Sequence, residues 1–161
     1  MHKRLYLLCP TDCLEPIINN TFKYENYFYT SLGNSFASDI ETLKGIKELV
    51  KNHSIKEIYF VLSKDNKIIL DALGNQSFSG IKGLNNFYNE IRKQKKRSKV
   101  SAQIGNRQFS VLSYYLNKKV KELQLELNHS IKISGKIYNR NKDMFTNTYA
   151  NLICLEKHHL N

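Results

Sequence analysis

Apolar residues fall into short blocks whose spacing changes along the chain. Positions 4–9 form a nearly continuous run that stops at Pro10, the pattern of a short buried strand. Residues 14–22 predict a helix with Pro16 in its first turn, where the missing N–H costs nothing. Positions 25–31 are rich in Tyr and Phe and predict a second strand, after which Gly33-Asn34 breaks the chain. Ser38 and Glu41 have capping-box spacing. The helix behind them is expected to carry Ile40, Leu43, Ile46 and Val50 on one face. Positions 56–62 contain Ile58, Tyr59, Phe60, Val61 and Leu62 in succession. A strand apolar on both faces is the mark of a parallel sheet covered by helices on both sides.

After Lys64-Asp65-Asn66 the pattern admits two readings. Ile68-Ile69-Leu70 suits either the return arm of a hairpin or the start of a helix. Leu84, Phe87, Tyr88 and Ile91 have helical spacing. Phe109, Leu112, Leu116, Val120, Leu123 and Leu127 extend a second helical stripe through positions 107–128. Residues 93–105, polar and basic, are expected to form a loop. Positions 131–138 predict a strand with Ile131, Ile133 and Ile137 alternating, 139–143 a turn, and 145–155 a last strand antiparallel to it. The order gives an α/β fold with a mainly parallel sheet and an antiparallel edge strand. Neither a linker nor an internal repeat interrupts positions 1–161, so a single domain is expected.

Composition agrees. The chain has 161 residues, 41% hydrophobic and 24% charged, with two Pro and seven Gly, which excludes collagen-like and linker-like architectures. No run of eighteen apolar residues occurs, so no membrane span is predicted. The basic start leads into an apolar run too short for a signal peptide. Three cysteines, Cys9, Cys13 and Cys154, cannot all pair, and an odd, low count suits a reducing compartment, with the cytoplasm as the expected location.

The net charge of +11 suggests a polyanion partner until its distribution is examined. Segment 82–121 holds eleven Lys and Arg against the single acid Glu90, which makes the rest of the chain nearly neutral. Within it Arg92, Lys93, Lys95, Lys96, Arg97 and Lys99 are polyanion-binding candidates, and Tyr88, Phe109, Tyr114 and Tyr115 lie near enough in sequence to stack on bases. The plainer reading, which is favoured, packs these aromatics into the core and leaves the lysines as a solvated surface. Abundant Asn, Lys, Ile and Tyr without Trp also fits an AT-rich coding sequence. Binding of nucleic acid or an acidic partner through 82–121 is the alternative.

The order of strands and turns resembles that of the β-class carbonic anhydrases over most of the chain. Cys9-Pro10-Thr11-Asp12-Cys13 stands where that family has Cys-x-Asp-x-Arg at the end of its first strand. Ser31-Leu32-Gly33-Asn34 stands for its Asn-Ala-Gly-Asn turn. Ile55-Lys56-Glu57-Ile58-Tyr59-Phe60-Val61-Leu62 has the cadence of its third strand, and Ile131-Lys132-Ile133-Ser134-Gly135-Lys136-Ile137-Tyr138 that of its fourth. The resemblance implies strand order 2-1-3-4 with an antiparallel fifth edge strand. It also implies a homodimer, for which the aromatic second strand and the helix over 107–128 are the candidate surfaces.

The chemistry of that family does not carry over. Its zinc ligands are the Cys of the first motif and a His-x-x-Cys after the third strand; the latter two positions hold Ser63 and Asn66 here, leaving Cys9 alone. The Asp and Arg of its dyad correspond to Thr11 and Cys13. Asp12 lies one place away, and strand alternation would point it elsewhere. A catalytic zinc needs about three N or S donors and an open position, so no zinc, no cofactor, no catalytic residue and no carbonic anhydrase activity are expected. What remains is a vestigial pocket of Cys9, Thr11, Asp12, Cys13, Thr30, Ser31, Asn34, Ser63, Lys64, Asp65 and Asn66, suited to a small polar ligand or anion. Two enzyme readings stay open. One is a metal-dependent lyase or hydrolase site rebuilt on Cys9, Cys13 and Cys154, the last spaced with His158 as Cys-x-x-x-His. The other is a nucleophilic thiol at Cys9 or Cys13, for which no His is near in sequence and Lys64 would have to lower the thiol pKa. Against both stands the plainer reading of free buried or half-buried thiols.

Overall fold

The computed structural model describes residues 2–36, 39–78, 80–81, 84–98 and 104–148, the side chains at 94–98 and 104–107 excepted. Five strands form one sheet: β1 Lys3–Leu8, β2 Glu25–Thr30, β3 Glu57–Ser63, β4 Lys132–Asn139 and β5 Met144–Asn147. Their order is β2-β1-β3-β4-β5, with the first three pairings parallel and β4·β5 antiparallel. The mainly parallel sheet with an antiparallel edge is the one the sequence pattern predicts, and the strand order is the one the resemblance implies. The helices are α1 Glu15–Thr21, α2 Ile40–His53, α3 Lys67–Leu73, α4 Asn85–Ser98 and α5 Ile104–Glu126.

The central strands are buried on both faces, which explains their unbroken apolar sequence. Leu5 and Leu7 of β1 and Ile58, Phe60 and Leu62 of β3 face a large core closed by α2, α3, α4 and α5. Tyr6, Leu8, Tyr59 and Val61 point the other way, into a smaller core with Leu14 and with Ile18 of α1, and Tyr138 of β4 joins them there. Gly135 lets α5 approach β4 closely: a Cβ there would lie 2.9 Å from Thr148 Cγ2 and 3.2 Å from Leu116 Cβ.

Several local expectations change. Ile40 is not on the buried face of α2 but 83% exposed, because at 100° per residue it sits well off the Ile46–Val50 stripe. The α2 cap is Asp39, whose side chain accepts from Thr42 N at 2.7 Å; Ser38 lies outside the described residues. Ile68-Ile69-Leu70 belongs to a helix, not a hairpin, because Asn66 caps it by accepting from Ile69 N at 2.9 Å. Of the expected loop over 93–105, residues 93–98 and 104–105 are helical, α4 continuing to Ser98 and α5 starting at Ile104, and 99–103 lie outside the described residues. Lys, Arg and Gln are good helix formers, so basic polarity without Gly or Pro does not signal a loop. The last strand starts at Met144, and its expected part from 149 on lies outside the described residues.

Candidate functional site

β1 ends at Leu8, and Pro10–Asp12 form a single 3-10 turn with Pro10 at its start. That turn breaks strand alternation, so Asp12 points inward rather than away. It is 3% exposed. One carboxylate oxygen accepts from Ser63 N at 2.8 Å and the other from Asn66 Nδ2 at 2.8 Å. The backbone carbonyl of Asp12 accepts from Arg140 Nη2 at 2.9 Å. Burial pushes the Asp12 carboxyl up to about 6, against the opposing pull of the bonds from Ser63 and Asn66.

Cys9 is buried beside it. Its Sγ accepts from Gly33 N at 3.1 Å and lies 3.1 Å from Thr11 Oγ1. Gly33 makes this approach at φ 61, where a Cβ would be strained and would sit 3.1 Å from Ile68 Cγ2. The buried Tyr115 hydroxyl reaches both the Gly33 and Asn34 carbonyls, at 2.9 and 3.0 Å, and so holds this turn from below. Asn34 Nδ2 donates to Val61 O at 2.7 Å, while its buried Oδ1 has no donor among the described residues.

The structure therefore brings Cys9, Thr11, Asp12, Ser63 and Asn66 together, with Asn34 close to the same strand end. It separates the other candidates from them. Ser31 bonds to Ser35 Oγ and Phe36 N, each at 3.1 Å. Thr30 and Cys13 are exposed, the Cys13 thiol lying 3.8 Å from the Pro10 carbonyl. Lys64 and Asp65 line a neighbouring cavity of about 280 Å³ with Leu70, Gln108, Asn139, Arg140 and Asn141. The Ser63 hydroxyl donates to Asp65 and, with Arg140 nearby, holds that carboxyl below its usual range. Arg140 and Gln108 escaped the sequence reading. The rule that ligands lie beyond the carboxyl ends of parallel strands, applied to β4 as well as to β1 and β3, would have marked Arg140. No sequence signal distinguished Tyr115 from a core aromatic.

The resemblance implies zinc, but the donor set does not fit it. Cys9 supplies one sulfur, Asp12 has both oxygens committed, and Ser63 and Asn66 offer neutral oxygens or nitrogen. Among the described residues no three of His, Cys, Asp and Glu are placed to hold a metal ion. His53 lies against Tyr27, ring centroids 4.1 Å apart, and His129 is exposed. Cys154 and His158 of the rebuilt-site reading lie outside the described residues.

The basic segment is less available than its sequence suggests. Lys118 pairs with Glu90 at 2.8 Å, Lys119 pairs with Glu122 at 3.1 Å, and Arg92 donates to Gln76. Tyr88 and Tyr115 are buried, and Phe109 packs against the core, so these rings are not stacking platforms. Lys93 is exposed. Lys95, Lys96 and Arg97 belong to α4 but their side chains, like Lys99 as a whole, lie outside the described residues.

The fold is that of the β-carbonic anhydrases. The chain is similar to CafD from Aspergillus fumigatus, with a TM-score of 0.72 at 16% identity over 90% of this chain and 88% of that one. It is similar to CafA of the same fungus, with a TM-score of 0.70 at 14% identity over 99% and 82%. A tetrameric β-carbonic anhydrase from Sordaria macrospora gives a TM-score of 0.71 at 14% identity over 91% and 80%. No protein-family model matches the sequence, and no curated protein matches it. Among the described residues no helix is long and apolar enough to cross a membrane.

Proposed function

We propose that this chain is a carbonic anhydrase-like protein that holds no zinc and does not hydrate carbon dioxide, and that it binds a small polar ligand or anion at the carboxyl ends of its parallel strands. One observation carries the first part. Ser63 and Asn66, which stand where the resemblance would require two further metal ligands beside Cys9, instead donate to the Asp12 carboxylate, through the Ser63 backbone N–H and the Asn66 amide. Without a bound metal nothing here lowers the pKa of a water toward neutrality, and the attacking hydroxide has no source. The second part is supported by position, since open α/β sheets take their ligands beyond the strand ends. The donorless Asn34 Oδ1 and the cavity beside Lys64 add to it. A reducing compartment such as the cytoplasm suits the free thiols of Cys9 and Cys13.

The test is metal analysis of the purified protein together with stopped-flow hydration of carbon dioxide, before and after incubation with zinc. We expect zinc far below one per chain and a rate equal to buffer. One zinc per chain, or hydration above buffer, overturns the reading.

A second reading is a homodimeric scaffold. It draws on β2, an edge strand carrying Tyr27, Phe28 and Tyr29 with no strand on its outer side among the described residues. The tetrameric Sordaria neighbour supports self-association. Light scattering that reports the mass of one chain removes this reading, and twice that mass supports it.

A further inference from the structure

We propose that the cavity between the ends of β3 and β4 is a binding site for a small oxyanion, held between Lys64 and Arg140. This rests on the reading above in placing the ligand at the strand ends. It moves the ligand away from the Cys9–Asp12–Asn66 cluster, whose side chains already satisfy one another, into the adjoining space of about 280 Å³.

Donor-bearing side chains, Lys64, Arg140, Gln108, Asn139 and Asn141, make up most of its lining. Arg140 is held from two sides, Nε on Asp65 Oδ2 at 3.3 Å and Nη2 on the Asp12 carbonyl at 2.9 Å. A guanidinium has five N–H bonds in a fixed plane, so three of them, two on Nη1, remain to donate to an oxyanion. Because the plane is already fixed, little side-chain freedom is lost on binding. The Lys64 backbone is anchored by its N–H to the Tyr138 carbonyl at 2.8 Å and by its own carbonyl, which accepts from Gln108 Nε2 at 2.6 Å. Its half-buried side chain lines the cavity, and its ammonium has no acceptor among the described residues. Asn139, also in the lining, accepts through Oδ1 from the backbone N–H groups of Asn141 and Lys142 at 3.1 and 3.3 Å, so its amide nitrogen remains a donor.

Asp65 is the one acid in the lining, and it is engaged by Arg140 and by the Ser63 hydroxyl, so the lining keeps one positive charge in excess. Leu70 is its one apolar side chain and no aromatic ring lines it. A ligand with a large apolar or heterocyclic part has nothing to pack on. The fitting class is a compact oxyanion, a carboxylate or a phosphate.

The test is a titration of the isotope-labelled chain with inorganic phosphate and, separately, with acetate, read by amide shifts at constant ionic strength. Saturable shifts confined to residues 64–65 and 139–142 are expected. Lys64→Gln should weaken binding by about tenfold, as loss of one charge-assisted bond does. Its thermal midpoint should not move, because the ammonium it loses has no acceptor. Adding Arg140→Gln should abolish the shifts. Whichever probe binds more tightly identifies the ligand as tetrahedral or planar. Shifts centred on 92–99, shifts linear in ligand, or wild-type affinity in Lys64→Gln each overturn the site. Zinc content and hydration are measured on the same preparation. A zinc-loaded, active protein overturns the parent reading, whereas a zinc-free, inactive protein that ignores both probes overturns this inference alone.

Discussion

The buried Asp12 carboxyl makes stability depend on pH in a direction opposite to that of an ordinary paired acid. Its folded pKa is raised from 3.8 to about 6, chiefly by burial. The folded state therefore holds the proton more tightly than the unfolded chain. The stabilisation from this group is fully present below the unfolded pKa and is lost as pH rises through about 6. A shift of this size is worth about 3 kcal/mol at its plateau, and roughly half of it appears on going from pH 7.5 to pH 5. For a chain of this length that corresponds to a rise of about 3–6 °C in midpoint. The assay is urea unfolding of the wild type and of Asp12→Asn across pH 5–7.5. Contributions from groups remote from residue 12 are common to both proteins and cancel in the difference. Of the charged groups facing Asp12, Asp65, held low by Ser63 and Arg140, stays anionic over this range. The wild type should gain on the variant as pH falls. The fixed offset at pH 7.5 combines the relief of a buried charge with an amide facing a donor, so the change with pH is the quantity to read. Parallel curves, or a wild type that loses ground toward pH 5, refute the assignment of a raised pKa to this buried carboxyl.

Other expectations follow from single contacts. Tyr115→Phe removes the hydroxyl serving the Gly33 and Asn34 carbonyls and should cost about 1–3 kcal/mol in urea unfolding, since both acceptors are left in the interior. Asn66→Ala removes the α3 cap and a donor to Asp12 together, and should cost about 2 kcal/mol or more by the same measurement. Gly135→Ala forces a methyl to within 2.9 Å of Thr148 and 3.2 Å of Leu116, and overpacking of this kind should lower stability by about 1–3 kcal/mol. Thiol labelling followed by peptide mapping should find Cys13 modified at once and Cys9, 1% exposed, modified only as the native state opens.

Fold-level features were legible where local pattern and tertiary environment agree. The run from Ile58 to Leu62 reads as a two-sided buried strand because it is one, and the heptad-like stripe from Leu112 to Leu123 reads as a helix packed on β4 for the same reason. Misreadings have local causes. Residues 93–98 look like a loop by polarity but are helical by propensity. Ile40 was assigned to a buried face on identity rather than on angle. The ambiguity at Ile68 was resolvable from Asn66, which stands three residues before Ile69 and caps it. At the site, the strand-end positions Cys9, Ser63 and Asn66 were predictable, because a parallel strand delivers its last residues to one edge. The inward turn of Asp12 was not, since alternation was extended through Pro10 where the strand had already stopped. Arg140 becomes legible only when the strand-end rule is extended to β4, whose pairing with β3 joins segments some seventy residues apart in sequence.

On the zinc-free reading proposed above, the Asp12 network also accounts for how the strand ends stay fastened. A metal at this place would fasten the end of the first strand to the segment after the third. Asp12 does the same with hydrogen bonds, reaching from the turn after β1 to the Ser63 amide at the end of β3 and to Asn66 at the start of α3. Arg140 ties that turn to the end of β4, and Cys9 ties it to Gly33 after β2. All four parallel strand ends are thereby joined through residues 9–12. The substitution has a chemical consequence. A metal leaves an open coordination position for a substrate, whereas a carboxylate with both oxygens committed leaves none. The network can thus preserve the geometry of the strand ends while closing the position at which hydration would occur. On the proposals above, a ligand would be taken at the rim, beside Lys64 and Arg140.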